Sequence, residues 1–236
     1  MGNGSGKGKF YFRLGLLFIL LAGLGIYFFG RSLWVPVKNR IVGKKTEESA
    51  VAEILKRRPQ VAQMVPEKTA KMALVVFKKE RQVELWADGR RVKSYRMTAF
   101  SGDLGPKLEE GDGQIPEGIY GLVYLNPNSS YHLSIKVDYP NAFDREQGRR
   151  EKREFLGDDI FIHGKEVSIG CVAIGDEGIE EVFCAVRQVG LKNTVVIIAP
   201  YDMRKGRDRQ LEKSKLSWAP GLYDRIAAAL AGYPRG

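Results

Sequence analysis

From Met72 onward the apolar residues recur at every second position, and this change of period commits the chain to a sheet-built domain. Residues 74–77, 82–86 and 91–98 each read as a strand, separated by Lys79-Glu-Arg81 and by Asp88-Gly89. An Asp-Gly pair accepts the left-handed backbone of a two-residue hairpin turn, so 82–98 is expected to fold back on itself. Residues 119–125 and 131–139 continue the pattern, with Leu133, Ile135 and Val137 alternating with Ser134, Lys136 and Asp138. Strands over 159–163 and 194–199 complete the set. Helical spacing enters where Ile179, Val182, Phe183, Val186 and Val189 make one amphipathic helix of 176–189. Further helices are expected over 46–58, stopped by Pro59, and over 218–230, where Trp218, Leu222, Ile226 and Leu230 share a side. The expected fold class is mostly β, a β-rich α+β domain.

At 236 residues the chain holds one sizeable domain with additions. Residues 14–30 form an uncharged run between Arg13 and Arg31, long enough for a short membrane span or a signal-peptide core. No convincing small-x-small cleavage site follows it, so the expectation is an uncleaved anchor, with secretion after cleavage as the alternative. Basic residues flank the run on both sides, and charge alone does not orient it. The division expected is 1–30 as anchor or signal, 31–70 as a basic linker with a short helix, 71–201 as the sheet-built domain, and 202–236 as a basic tail with a helix. The net charge of +10 is concentrated outside the central domain: residues 1–70 carry 12 basic and 4 acidic side chains, and residues 71–201 carry 18 and 20. A nucleic-acid binder concentrates positive charge on its folded face, so that class is set aside.

Two residue types in one short stretch carry the chemistry. Phe161-Ile-His-Gly-Lys-Glu-Val-Ser-Ile-Gly-Cys171 places His163 at a strand end and Cys171 after a short loop. A cysteine attacks only as thiolate, and a nearby histidine is the usual proton acceptor for acyl transfer through a thioester. Such a pair is expected to depress the Cys171 pKa through an imidazolium partner. Gly170 lets the backbone turn sharply before the cysteine. Taken alone, the spacing also fits a buried strand histidine and a structural cysteine. Cys184 lies on the helix side of Glu180, Glu181 and Gln188, opposite the apolar stripe, and is read as incidental rather than as a disulfide partner of Cys171. The spacing of His132, His163, Cys171 and Cys184 suits no zinc site, and no metal or cofactor is expected.

Several blocks, in order, widen the signal: Ser101-Gly-Asp-Leu-Gly-Pro-Lys107, Glu110-Gly-Asp-Gly-Gln-Ile-Pro-Glu-Gly-Ile-Tyr120, Tyr131-His-Leu-Ser134, Tyr139-Pro-Asn-Ala-Phe-Asp-Arg145 and Ile162-His-Gly164 through Ser168-Ile-Gly-Cys171. Through them the chain from about residue 71 to 200 resembles the L,D-transpeptidase (YkuD-type) family, in its YafK-like murein branch. The resemblance implies a β-sandwich or barrel catalytic domain with one helix after the catalytic loop. It places the nucleophile on Cys171, the acid/base on His163, the carbonyl that orients the imidazole on Gly164, and the oxyanion-hole amides on Gly170 and Cys171, beside Ser168. Tyr131, His132, Lys107, Tyr139 and Arg145 lie in the matching blocks as substrate-binding candidates; His132 is equally readable as a strand-end polar residue. Ile169 and Val172 depart from the broad family, which has His and then Arg or Asn there. The implied substrate is a peptidoglycan stem peptide, cut at the L-centre of diaminopimelate, on the periplasmic side of the inner membrane. A wall-linked protein is a further implied acceptor or leaving group. Hydrolysis of the same bond, or a non-catalytic wall-binding scaffold, are the competing readings.

Overall fold

A computed structural model describes residues 43–210 and 212–235. The run over 14–30, and with it the expected anchor, lies outside the described residues. Among those described, no helix is long and apolar enough to cross a membrane. The described residues from Lys45 onward make one compact unit.

Helix α1 (Glu47–Arg57) starts at Thr46, whose hydroxyl accepts the Ser49 amide at 3.1 Å while Ser49 Oγ accepts the Thr46 amide at 3.0 Å. This reciprocal cap, with Glu47 and Glu48 in the first turn and Lys56 and Arg57 in the last, satisfies the orphan amides and suits the helix dipole. Strands β1 (Met72–Phe77), β2 (Gln82–Ala87) and β3 (Arg90–Arg96) form the expected antiparallel ribbon. Asp88 and Gly89 both take left-handed backbone at the β2–β3 turn, as the Asp-Gly pair requires. Strand β4 (Gly118–Tyr120) and strand β5 (Leu122–Asn126) follow, then β6 (Ser134–Val137), helix α2 (Ala142–Arg150), β7 (Phe161–His163), β8 (Val172–Ala173), helix α3 (Gly175–Val189), β9 (Thr194–Ala199) and helix α4 (Ala219–Leu230).

The strands divide into two sheets, ordered β3-β2-β1-β9-β4 and β5-β6-β7-β8. Residues 119–125, expected as one strand, change sheet at Gly121. Asp138 clamps that corner: its carboxylate accepts the Gly121 amide at 2.9 Å, and its own amide donates to the Gly121 carbonyl at 3.2 Å. The 131–139 strand shortens to β6 because His132 takes a left-handed conformation and Asp138 turns onto Gly121.

Strands β1 and β9 pair in parallel and are buried on both faces, which explains their continuous apolar runs. Leu74, Val76, Val196 and Ile198 point into the main core, together with Ile135, Ile162, Val172, Ile179 and Phe183. Ala73, Val75, Phe77, Ile197 and Ala199 point the other way, into a second core closed by Leu222, Tyr223, Ile226 and Leu230 of α4. The C-terminal helix therefore packs on the sheet as its apolar side implies.

Beside the three expected helices, the described residues hold a fourth, α2. Helix α2 escaped the sequence reading because it has no apolar stripe: its buried residues are Gln147 and Gly148, and a Cβ on Gly148 would sit 3.0 Å from Leu156. The side of α3 expected to be polar and open is also buried. Glu180, Glu181 and Cys184 are each under 9% exposed there, with Arg57 and Arg58 set against the two carboxylates. Cys184 thus belongs to the main core rather than to a solvated face, and burial pushes its thiol up to about 11. Both cysteines are free thiols.

Candidate active site

Strand pairing fixes which side chains share the outer face of the four-stranded sheet. Tyr124 pairs with Lys136, Lys136 with Phe161, and the Ile162–Val172 register sets Cys171 beside Phe161. The next row runs Asn126, Ser134, His163, Ala173. Directly paired residues project to one side, so Cys171 and His163 lie on the same face, one strand apart and one row apart. The alternate residues Ile135, Ile162 and Val172 face the core, each fully buried.

His163 is 2% exposed and its Nδ1 lies 2.6 Å from the Gly164 carbonyl. A carbonyl only accepts, so Nδ1 carries the proton and Nε2 keeps its lone pair. The Tyr131 ring covers the imidazole at 4.7 Å between centroids, tilted by 39°. Gly164 must be glycine: a Cβ there would meet Asp176 Oδ1 at 2.6 Å and the Tyr131 carbonyl at 2.8 Å.

Cys171 Sγ accepts the Phe161 amide and donates to the Asp159 carbonyl, both at 3.4 Å. The sulfur is therefore held by the entry of β7, two residues before His163. Burial raises the Cys171 pKa, against the smaller pulls of the Phe161 amide and of the Lys136 and Lys107 ammonium groups. Burial likewise lowers the pKa of His163, opposed by its bond to Gly164. Both shifts favour the neutral forms. Both directions run against the imidazolium–thiolate pair expected from the sequence, because both groups are desolvated together.

The loop between them is braced by two hydroxyls. Gly170 takes left-handed backbone, and its amide donates to Ser101 Oγ at 2.7 Å, while that hydroxyl donates to the Gly113 carbonyl at 2.8 Å. The Cys171 amide donates to Ser168 Oγ at 3.1 Å, and Ser168 Oγ donates back to the Cys171 carbonyl at 2.7 Å. Both amides that the resemblance assigns to an oxyanion hole are thus hydrogen-bonded to serine hydroxyls in this structure.

The remaining candidates sit in different surroundings. Tyr131, 43% exposed, stands over His163. His132 turns away, with Nε2 2.8 Å from Glu180 Oε1. Lys107 is a loop pillar: its ammonium donates to the Glu109 carbonyl at 2.7 Å and to Asp112 at 2.5 Å. Asp112 in turn accepts the amides of Leu108, Glu109 and Gln114. Tyr139 is buried against Tyr120, with its hydroxyl on the Leu156 carbonyl at 3.0 Å. Arg145 is exposed on α2, outside the strands and loop that carry His163 and Cys171. Two residues of the site's surroundings went unnoticed in the sequence. Ser101 gave no signal beyond its block. Lys136 was legible only as a polar position of β6, and its importance lies in the row it shares with Cys171.

The family model described as the L,D-transpeptidase catalytic domain (YkuD) matches residues 71–198, more than half of the chain. "Putative L,D-transpeptidase YafK" of Escherichia coli K12 is 35% identical over 160 residues, 64% of this chain and 61% of that protein. The match therefore spans about three fifths of that relative's length. Among solved structures, the helical cell shape determining protein Pgp2 of Campylobacter jejuni aligns at 21% identity and TM-score 0.46, over 60% of this chain and 54% of that one. Bdellovibrio bacteriovorus Bd1075 aligns at 21% identity and TM-score 0.40, over 70% and 56%. With its ordered sequence blocks, its His163–Cys171 face and the family model lying across both sheets, the chain belongs to the L,D-transpeptidase catalytic domain (YkuD) family.

Proposed function

We propose that this protein is a cysteine-dependent L,D-transpeptidase of peptidoglycan. The observation that carries the reading is the shared sheet face of His163 and Cys171, with Nδ1 committed to Gly164 and the Nε2 lone pair free to take a proton. In the first half-reaction His163 Nε2 takes the Cys171 proton as the sulfur attacks the carbonyl at the L-centre of diaminopimelate. The C–S bond forms, the C–N bond to the D-amino acid breaks, and His163 returns the proton to the departing amine. In the second, an amine of a neighbouring stem attacks the thioester; the C–N bond forms, the C–S bond breaks, and the amine's proton passes through His163 to the thiolate. Water in place of that amine makes the same site a hydrolase, and a wall-linked protein could serve as acceptor or leaving group. In this reading residues 14–30 hold the enzyme at the inner membrane with the catalytic domain in the periplasm.

The test is turnover of a purified stem tetrapeptide with and without an acceptor stem, together with mass-spectrometric location of a carbapenem adduct. Adduct and turnover are expected in the natural protein and in Cys184→Ala, and neither in Cys171→Ala. Full activity in Cys171→Ala removes the thioester mechanism. Release of D-alanine without any cross-linked product assigns hydrolysis instead of transfer.

A further inference from the structure

Resting on that reading, we propose that Lys136 is the substrate-anchoring residue of the site, holding the free α-carboxylate of the D-amino acid that leaves. Lys136 stands in the same row as the nucleophile, two strand spacings away, about 10 Å between backbones. Its ammonium lies 4.9 Å over the ring of Phe161, the residue between them, and Phe161 supplies the amide that holds the sulfur.

The surroundings of this cation suit a carboxylate ligand. The side chain is only 12% exposed, packed between strands by the Phe161 and Tyr124 rings of its own row, and those rings meet edge to face at 6.2 Å. Its anionic partner is Asp159, 2.9 Å away, whose side chain is 83% exposed. An ion pair with so open a carboxylate contributes little, on the order of 0–1 kcal/mol, and exchanges readily. Asp159 also belongs to the site by its backbone, since its carbonyl accepts the Cys171 thiol proton. A carboxylate group already meets Lys136 here, on the residue whose backbone contacts the Cys171 sulfur, and an external carboxylate can replace it without leaving either charge buried and unpaired. The neighbouring cations are committed elsewhere: Lys107 to Asp112 and Lys165 to Asp176.

Substrate chemistry supplies the matching distance. In a stem ending in a D-amino acid, the terminal carboxylate is three bonds beyond the scissile carbonyl carbon, within about 4 Å of it. With that carbon against Cys171 Sγ, the carboxylate extends along the row toward Lys136. A charge-assisted hydrogen bond of this kind is worth about 1.5–3 kcal/mol, roughly ten- to a hundredfold in affinity.

The experiment compares a tetrapeptide ending in free D-alanine with its C-terminal amide and with a stem amidated at the diaminopimelate D-centre. Turnover is measured on the natural protein, Lys136→Met, which keeps an apolar stem over Phe161, and Lys136→Arg. Lys136→Met is expected to lose roughly ten- to a hundredfold in kcat/KM on the free acid, mainly through KM, with the amide unchanged and Lys136→Arg close to natural. Equal losses on acid and amide, or no loss, overturn the proposal. A loss confined to stems with a free D-centre carboxylate moves the contact to that carboxylate and also overturns it. Calorimetric binding of the same peptides to Cys171→Ala and to Cys171→Ala/Lys136→Met needs no turnover, and so separates this proposal from the thioester mechanism. Weaker binding of the acid alone supports the Lys136 contact, and identical binding of the acid to both proteins refutes it.

Discussion

Replacing Gly170 by alanine tests whether the turn before Cys171 needs glycine for two separate physical reasons. Its φ of +80° costs an L-residue about 1–2 kcal/mol. A Cβ would also stand 3.1 Å from the Gln114 carbonyl oxygen, closer than most Cβ contacts. That oxygen cannot retreat cheaply, because the Gln114 amide is held by Asp112 at 3.0 Å and the adjoining Gly113 carbonyl by Ser101 at 2.8 Å. Overpacking against a fixed neighbour adds about 1–3 kcal/mol. The sum, roughly 2–5 kcal/mol, corresponds to a fall in Tm of about 4–20 °C for a domain of this size. Gly111→Ala is the matched control: its φ is +79°, and nothing lies within 4 Å of its Cβ, so only the strain of about 1–2 kcal/mol applies. Thermal denaturation of both variants is to be paired with the acylation rate at Cys171. Gly170→Ala is expected to slow acylation by up to about a hundredfold, since displacement of the nucleophile by an ångström has that scale. Equal Tm and equal acylation in the two variants would refute the clash argument and leave Gly170 as an ordinary turn residue.

Two further outcomes are expected. Because burial raises the Cys171 pKa and lowers that of His163, alkylation of Cys171 by iodoacetamide should keep rising through and above the usual thiol range; a plateau beginning near neutrality would mean an imidazolium–thiolate pair after all. Glu180→Gln should destabilise the fold by about 1–3 kcal/mol, because Arg57, Arg58 and His132 lose their shared carboxylate and His132 no longer anchors the turn behind Tyr131. Burial pushes the Glu180 pKa up, but these hydrogen bonds hold it below its ordinary value; its contribution is therefore full above the unfolded pKa of 4.5 and is lost as pH falls through the lower folded value. Urea titrations at neutral and acid pH should show the difference between Glu180→Gln and the natural protein shrink on acidification; a constant difference would contradict the linkage.

The sequence by itself determined the elements whose cause is local. Asp88-Gly89 set the hairpin because both residues tolerate left-handed backbone, Thr46 and Pro59 bounded α1, and the spacing from Ile179 to Val189 produced α3. The candidate pair stood out for a related reason: His163 and Cys171 are close in sequence, flanked by glycines at positions where a side chain does not fit. Only the tertiary structure decided what depends on surfaces meeting. Cys184, Glu180 and Glu181 looked solvent-facing until Arg57 and Arg58 were set against that side of α3, a pairing across more than 120 positions that periodicity cannot register. The protonation states of the pair also belong to the fold, because desolvation depends on what covers a group and not on its neighbours in the chain. Lys136 and Ser101 are the same case. Each is an ordinary polar residue in its own segment, and strand register places one in the row of Cys171, while loop packing lays the other under Gly170.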